Sequence, residues 1–184
     1  MAKITLITGG SRSGKSAFAQ RLAEEQSGSR LFLATCPVTD SEMEVRILRH
    51  IQDRQKGNWE TVEEPVDLVP QLHEAMRYDT VLIDCLTLWI NNLMFKASKG
   101  NRVLDEDMVR EKTERMLAAA REHPGEVIMV TNEVGLGIVP DNMQARLYRD
   151  LIGRCNQCVG VAADRVFLVS CGIPLQIKGT DNAI

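Results

Sequence analysis

Gly9-Gly10-Ser11-Arg12-Ser13-Gly14-Lys15-Ser16 decides how this chain is read. It meets the pattern G-x-x-x-x-G-K-[ST] at every required position. Glycines let the backbone curl so that its N–H groups converge on phosphate oxygens. A lysine at the seventh position sets a compact positive charge on the β- and γ-phosphates, and the closing serine offers a hydroxyl to Mg²⁺. Such patterns also arise by chance, so the flanks decide. Residues 4–8 form a short, largely β-branched run that stops at the glycine pair. Residues 16–26 place Phe18, Ala19, Leu22 and Ala23 at helical spacing. Strand, glycine loop and helix in that order make a phosphate cradle, with the positive end of the helix facing the anion.

Further out, strand and helix signals alternate. Apolar or β-branched runs at residues 31–36, 80–84, 126–131, 165–170 and 175–178 predict strands. Residues 41–56, 67–77, 105–121 and 141–162 predict helices; the first opens on the capping pattern Ser41-Glu42-Met43-Glu44, and Pro70 is confined to a first turn. Residues 96–101, with Lys-Gly-Asn, predict a loop. Alternation at these lengths predicts an α/β fold, three layers with a mostly parallel central sheet, in a single catalytic domain over residues 1–184.

Composition fits one such domain. The chain has 184 residues, 44% of them hydrophobic and 26% charged, with a formal net charge of -3. A nucleic-acid binder would show a basic stripe, and none stands out. No apolar run reaches the length of a membrane span and no signal peptide is evident, so we expect a cytoplasmic protein. Five cysteines suit reduced thiols. Cys155-Asn156-Gln157-Cys158 is a lone CxxC on a predicted helix, and we read it as two small helix residues, not a metal or redox site. His73 and His123 we read as structural.

Two further features carry chemistry. Asp84 closes an apolar strand, the place for a carboxylate on the Mg²⁺ side of such a cradle. Arg46, His50 and Arg54 are spaced by four and form a nearly straight stripe on a helix, beside the apolar stripe Met43, Ile47 and Ile51. Two flanking cations disfavour protonation, and a neutral imidazole is a nucleophile. The arginines could also face phosphate. A solvated helix face that happens to contain a histidine is the plainer alternative.

With these residues in view, the chain resembles the bifunctional adenosylcobinamide kinase / adenosylcobinamide-phosphate guanylyltransferase family of cobalamin biosynthesis over nearly its whole length. The likeness rests on Thr8 to Ser16, on Ala34-Thr35, on Arg46-Ile47-Leu48-Arg49-His50 with Arg54, and on Leu82-Ile83-Asp84-Cys85-Leu86-Thr87. The long block Val130-Thr131-Asn132-Glu133-Val134-Gly135-Leu136-Gly137-Ile138-Val139-Pro140 is the most specific part. The resemblance implies a P-loop fold, a homotrimer, GTP and ATP as substrates, Mg²⁺, and adenosylcobinamide as the corrinoid partner. It implies catalytic roles for Lys15 and for His50 as the guanylylated histidine. It implies nucleotide contacts from Gly9, Gly10, Ser11, Arg12, Ser13, Gly14, Lys15 and Ser16. Further contacts fall on Ala34, Thr35 and Cys36, on Ile51, Gln52, Asp53 and Arg54, and on Glu63 and Asp84. A small-metabolite P-loop kinase would share the cradle but not explain the Arg46-His50-Arg54 stripe. A small GTPase would need an N-K-x-D motif, which the sequence lacks.

Overall fold

The computed structural model describes residues 2–36 and 57–179. Its strands are β1 (Lys3–Gly9), β2 (Arg30–Ala34), β3 (Trp59–Glu63), β4 (Thr80–Asp84), β5 (Glu126–Val130), β6 (Arg165–Ser170) and β7 (Ile173–Lys178). They form one seven-stranded sheet in the order β3-β2-β4-β5-β1-β6-β7. Every pairing is parallel except β6 with β7. The helices among the described residues are α1 (Lys15–Glu24), α2 (Leu68–Glu74), α3 (Leu86–Lys99), α4 (Glu106–Glu122) and α5 (Met143–Ala162).

The inner strands read as unbroken apolar runs because both faces are covered. Successive side chains point to opposite faces, and the two cores follow that period. Leu31, Leu33, Val81, Ile83, Val127 and Met129 pack on the side of α2 to α5. Phe32, Leu82, Ile128 and Val130 face the other way, against Ala19, Leu22 and Ala23 of α1. Near their amino ends the adjacent strands β5, β1 and β6 are tied by polar atoms. The Thr5 hydroxyl donates to Glu126 at 2.7 Å, and Arg165 reaches Glu126 at 2.5 Å and Thr5 at 3.2 Å. A one-residue slip of either neighbour would strand that buried charge pair, so it fixes the register of β5, β1 and β6.

Two helix starts, those of α4 and α5, are capped by side chains. Asp105 accepts from the Met108 amide at 2.8 Å and Asn142 from the Ala145 amide at 3.0 Å. The buried His123 takes the Gly125 amide on Nδ1 and sets Nε2 3.1 Å from the Ala75 carbonyl. Its role is structural, as expected. His73 faces Glu122 at 3.5 Å on the surface.

Three sequence expectations change. Residues 96–101 are not wholly a loop, since α3 continues to Lys99 and only Gly100 and Asn101 lie beyond it. Leu86, Trp89, Ile90 and Leu93 bury one face at three- and four-residue spacing, and that face carries the helix onward. β3 was not anticipated. It lies at the sheet edge with a half-exposed pattern and pairs with β2 from Arg30↔Trp59 to Ala34↔Glu63. The helix expected over residues 67–77 is shorter, ending at Glu74 and tightening into a 3-10 turn over Ala75–Arg77. The helix expected over residues 41–56 lies outside the described residues. No described helix is long and apolar enough to cross a membrane.

Candidate active site

β1 delivers the chain to the carboxyl edge of the sheet, and residues 10–14 turn there before α1 begins at Lys15. Two glycines are required by geometry. A Cβ on Gly9 would stand 2.4 Å from the Val169 carbonyl oxygen and 2.7 Å from Ser13 Oγ. Gly14 is the residue before the helix at φ 94°, a left-handed conformation that side chains disfavour, and its added Cβ would meet Gly172 Cα at 3.1 Å. The loop is braced by the β6–β7 turn, where the Gly172 amide donates to the Ser13 carbonyl at 2.8 Å. Lys15 is 9% exposed, and its ammonium donates to the Gly10 carbonyl at 3.2 Å, folded back across the loop. Ser13 Oγ is buried without a hydrogen-bond partner inside this loop. An orphan hydroxyl and an inward-facing ammonium beneath a helix start suit a bound polyanion.

The sheet register sets the remaining predicted positions in one row. Glu63 pairs with Ala34, Ala34 with Asp84, Asp84 with Val130, and Val130 with Ile7. Ala34, Glu63 and Asp84 therefore stand level at the same edge, and the cradle starts just beyond Ile7. Asp84 does not adjoin β1, because β5 lies between them. Thr35 is wholly buried; its hydroxyl accepts from the Cys85 amide and lies 2.7 Å from the Cys85 carbonyl. Cys36 follows it, half-buried. Arg46, His50, Ile51, Gln52, Asp53 and Arg54 lie outside the described residues.

The structure adds residues that sequence reasoning passed over. Beyond β5, the Thr131 amide donates to the Ile7 carbonyl at 3.0 Å and the Glu133 amide to the Gly9 carbonyl at 3.1 Å. The Glu133 carboxylate takes the Thr8 hydroxyl at 2.6 Å. Glu133 is thus a carboxylate bonded to the residue that enters the cradle, on the segment just past β5, the strand next to β1. Thr87, at the start of α3, receives the Asn132 amide at 2.9 Å and the Asn132 side-chain amide at 3.0 Å. The signal was in the sequence, since Glu133 and Thr87 sit within the blocks that carry the resemblance. Their contacts join segments far apart in sequence, which spacing cannot show.

Local electrostatics favour neutral thiols. Burial pushes Cys85 up to about 11, with the Asp84 charge adding to it. Burial pushes Cys155 up to about 12 and also raises Cys158. Cys155 packs into the core beneath α5. A metal or redox pair needs thiolates, and this environment opposes them.

A glycine cradle between strand and helix, at the carboxyl edge of a parallel sheet covered on both faces, defines a P-loop nucleotide-binding protein. A KaiC-like protein from the archaeon Pyrococcus horikoshii shares this fold, with a TM-score of 0.51 at 17% identity over 90% of this chain and 71% of that one. Residues 5–177 match the model of the family described as cobinamide kinase / cobinamide phosphate guanyltransferase. Relatives named bifunctional adenosylcobalamin biosynthesis protein CobU are 39% identical in Escherichia coli, over 94% of this chain and 98% of the relative. The Salmonella typhimurium relative of that name is 37% identical, over 94% and 98%. A CobP of the same description in Pseudomonas aeruginosa is 38% identical, over 95% and 96%. The chain belongs to the cobinamide kinase / cobinamide phosphate guanyltransferase family, and it is an enzyme of cobalamin biosynthesis.

Proposed function

We propose that this chain phosphorylates the aminopropanol hydroxyl of adenosylcobinamide with a nucleoside triphosphate, then transfers GMP from GTP to the phosphorylated corrinoid through a guanylyl-histidine at His50. The observation that carries the reading is the cradle of Gly9 to Ser16 set at the same carboxyl edge of the sheet as Ala34, Glu63 and Asp84, which stand level in register across it. Both reactions displace groups at phosphorus, so positioning and charge neutralisation supply most of the rate.

In the kinase step the loop amides and Lys15 hold the triphosphate; the corrinoid hydroxyl attacks the γ-phosphorus, the bond from that phosphorus to the β–γ bridging oxygen breaks, the nucleoside diphosphate leaves and the hydroxyl proton is released to solvent. In the transfer step a neutral nitrogen of His50 attacks the α-phosphorus and pyrophosphate leaves into the Lys15 cradle. A phosphate oxygen of the corrinoid then attacks the same phosphorus, the P–N bond breaks, and His50 is regenerated. Arg46 and Arg54 face the phosphates in this scheme. Ile51, Gln52 and Asp53, with Thr35, Cys36 and Glu63, complete the nucleotide pocket. Ser16 and Asp84 supply hard oxygen donors of the kind Mg²⁺ takes, and the ion would neutralise phosphate charge there. We also propose a homotrimer, as the family resemblance implies, and, from the composition of the sequence, a cytoplasmic protein with a single domain over residues 1–184.

Incubation with labelled GTP tests the scheme. A covalent GMP lost in mild acid and kept in base is expected, because protonating the ring makes imidazole a good leaving group. His50→Ala should abolish the adduct and leave corrinoid phosphorylation by ATP. Loss of both activities in a folded variant would refute the division, and a protein that phosphorylates but never gains GMP would be a plain small-metabolite kinase.

A further inference from the structure

A second cavity shares the carboxyl edge of the sheet with the cradle. It is a cleft of about 590 Å³ between α3 and the start of α5, with Cys36 also in its lining. Hydrogen bonds place it. Asn92 on α3 donates to the carbonyls of Thr35 at 2.8 Å and Pro65 at 3.0 Å, both just past strand ends. Tyr148 on α5 donates to the Thr87 carbonyl at 3.3 Å. Further along α5, Asn156 accepts from the Thr131 hydroxyl past the end of β5, so residues 142–148 rise above that edge. Ligands of open α/β sheets bind outside the carboxyl ends of the strands, and this volume lies within the range of small-molecule sites.

The lining says what kind of ligand fits. Among the described residues no lining side chain carries a charge, so what they offer is not built for phosphate. Four carboxamides line it: Asn91, Asn92, Asn142 and Gln144. Asn92 and Asn142 serve the fold, as a bridge and a helix cap. Asn91 and Gln144 are exposed and make no protein hydrogen bond among the described residues, so both amides are open to a ligand. Leu88, Met94 and Phe95 add an apolar wall. Phe95 is 61% exposed, and Met143, the first residue of α5, is 77% exposed. Large apolar side chains left exposed beside the cleft, Phe95 with the Lys99 ammonium 4.4 Å from its ring centroid, mark a binding surface.

We propose that this cleft seats the corrinoid, an inference that rests on the function argued above. Cobinamide is a broad macrocycle with apolar edges and several neutral carboxamide arms, the chemistry that amides on an apolar wall recognise. One edge of the ring enters the cleft, with its amide arms against Asn91 and Gln144 and its methyl-bearing rim against Phe95. The reacting hydroxyl is thereby held on the same edge of the sheet as the triphosphate.

Two variants test it: Asn91→Leu with Gln144→Leu, which strips the amides, and Ser98→Trp, which fills the cleft. All three positions are exposed and none caps or bridges an element. Losing hydrogen bonds of ordinary strength should raise the corrinoid KM about ten-fold. The KM for ATP, the equilibrium affinity for GTP and the thermal midpoint should stay at wild-type values. Direct titration of cobinamide by its visible absorbance should show the same weakening. An unchanged corrinoid KM in both variants overturns the proposal. So does a changed oligomer mass in sedimentation accompanied by weakened GTP binding, which would make the cleft a contact between copies of the chain. A wild-type protein that neither binds nor phosphorylates cobinamide would instead sink the functional reading, and this inference with it.

Discussion

Glu133 shows what one side chain can add to a familiar loop. Its carboxylate holds the Thr8 hydroxyl at 2.6 Å while its amide bonds Gly9, so it grips the entry to the cradle from both sides. Truncation should loosen that entry. We expect Glu133→Ala to raise the KM for both nucleotides about ten-fold, the cost of an unpartnered group plus lost charge-assisted bonding. Glu133→Gln still accepts the hydroxyl and should recover most of the loss. Steady-state kinetics with ATP and GTP distinguishes the roles: a Gln variant as poor as Ala would mean that the negative charge acts on the reaction. Lys15→Ala belongs to the same scale. Its ammonium rests on the Gly10 carbonyl and would exchange that oxygen for phosphate. Removing the charge should lower kcat/KM of both transfers by at least about 100-fold, several kcal/mol of lost transition-state stabilisation. Near-normal guanylyl transfer would show that the cradle serves the kinase alone. Lys15 was legible because the motif is local, eight consecutive residues whose spacing is itself the chemistry. Glu133 was not, because its partner Thr8 is 125 residues away.

Between elements, a polar clasp joins α4, the end of α5 and the start of β1. Arg121 bonds Asp164 at 2.6 and 3.2 Å and reaches the carbonyls of Ala2 and Ala162, while Asp164 takes the Ile4 amide at 2.7 Å. The Arg121 guanidinium first, and the Ile4 amide with it, holds the Asp164 carboxyl below its ordinary value against the opposing effect of burial. The sign follows. A lowered folded pKa contributes stability above the ordinary carboxylate range, and that contribution is lost as pH falls through the lowered folded value. Asp164 is 44% exposed, so solvent screening limits the ion pair to about 1 kcal/mol. Thermal melts of wild type and Asp164→Asn should differ at pH 7 and converge in strong acid; a gap independent of pH would assign the effect to packing. Elements with a clear period or cap were legible, as for β6 over Arg165–Ser170 and the helix begun at Asn142. α3 escaped because Leu86, Leu88, Trp89 and Ile90, just past Asp84, form a short apolar run, and such a run does not by itself distinguish a strand from a buried helix. β3 escaped because an edge strand with half-exposed residues such as Thr61 and Val62 carries little apolar signal.

At the scale of the molecule, the sheet is the common wall of two apolar cores, one under α1 and one under α2 to α5. Each central strand contributes alternate side chains to both, as Leu82 does to one and Val81 and Ile83 do to the other. Neither core can lose its wall without exposing the other, so unfolding should be one cooperative transition. Nucleotide should move that transition as a whole. The cradle exists only when β1, α1 and the β6–β7 turn are assembled, because Gly9 packs on Val169 and Gly172 braces Ser13. The unfolded chain therefore has no such site, and a ligand bound only by the folded state stabilises by mass action. GTP at a hundred times its dissociation constant should add about 2.7 kcal/mol. For a chain of this length that raises the midpoint by roughly 5–10 °C. Differential scanning fluorimetry with rising GTP, run on wild type and Lys15→Ala, makes the check. Wild type should show a single transition climbing with the logarithm of nucleotide concentration, and the variant should need far more nucleotide for the same shift. Two separate transitions, only one of them moved by GTP, would mean that the cores unfold independently and that the sheet does not couple the cradle to the helices that wall the corrinoid cleft.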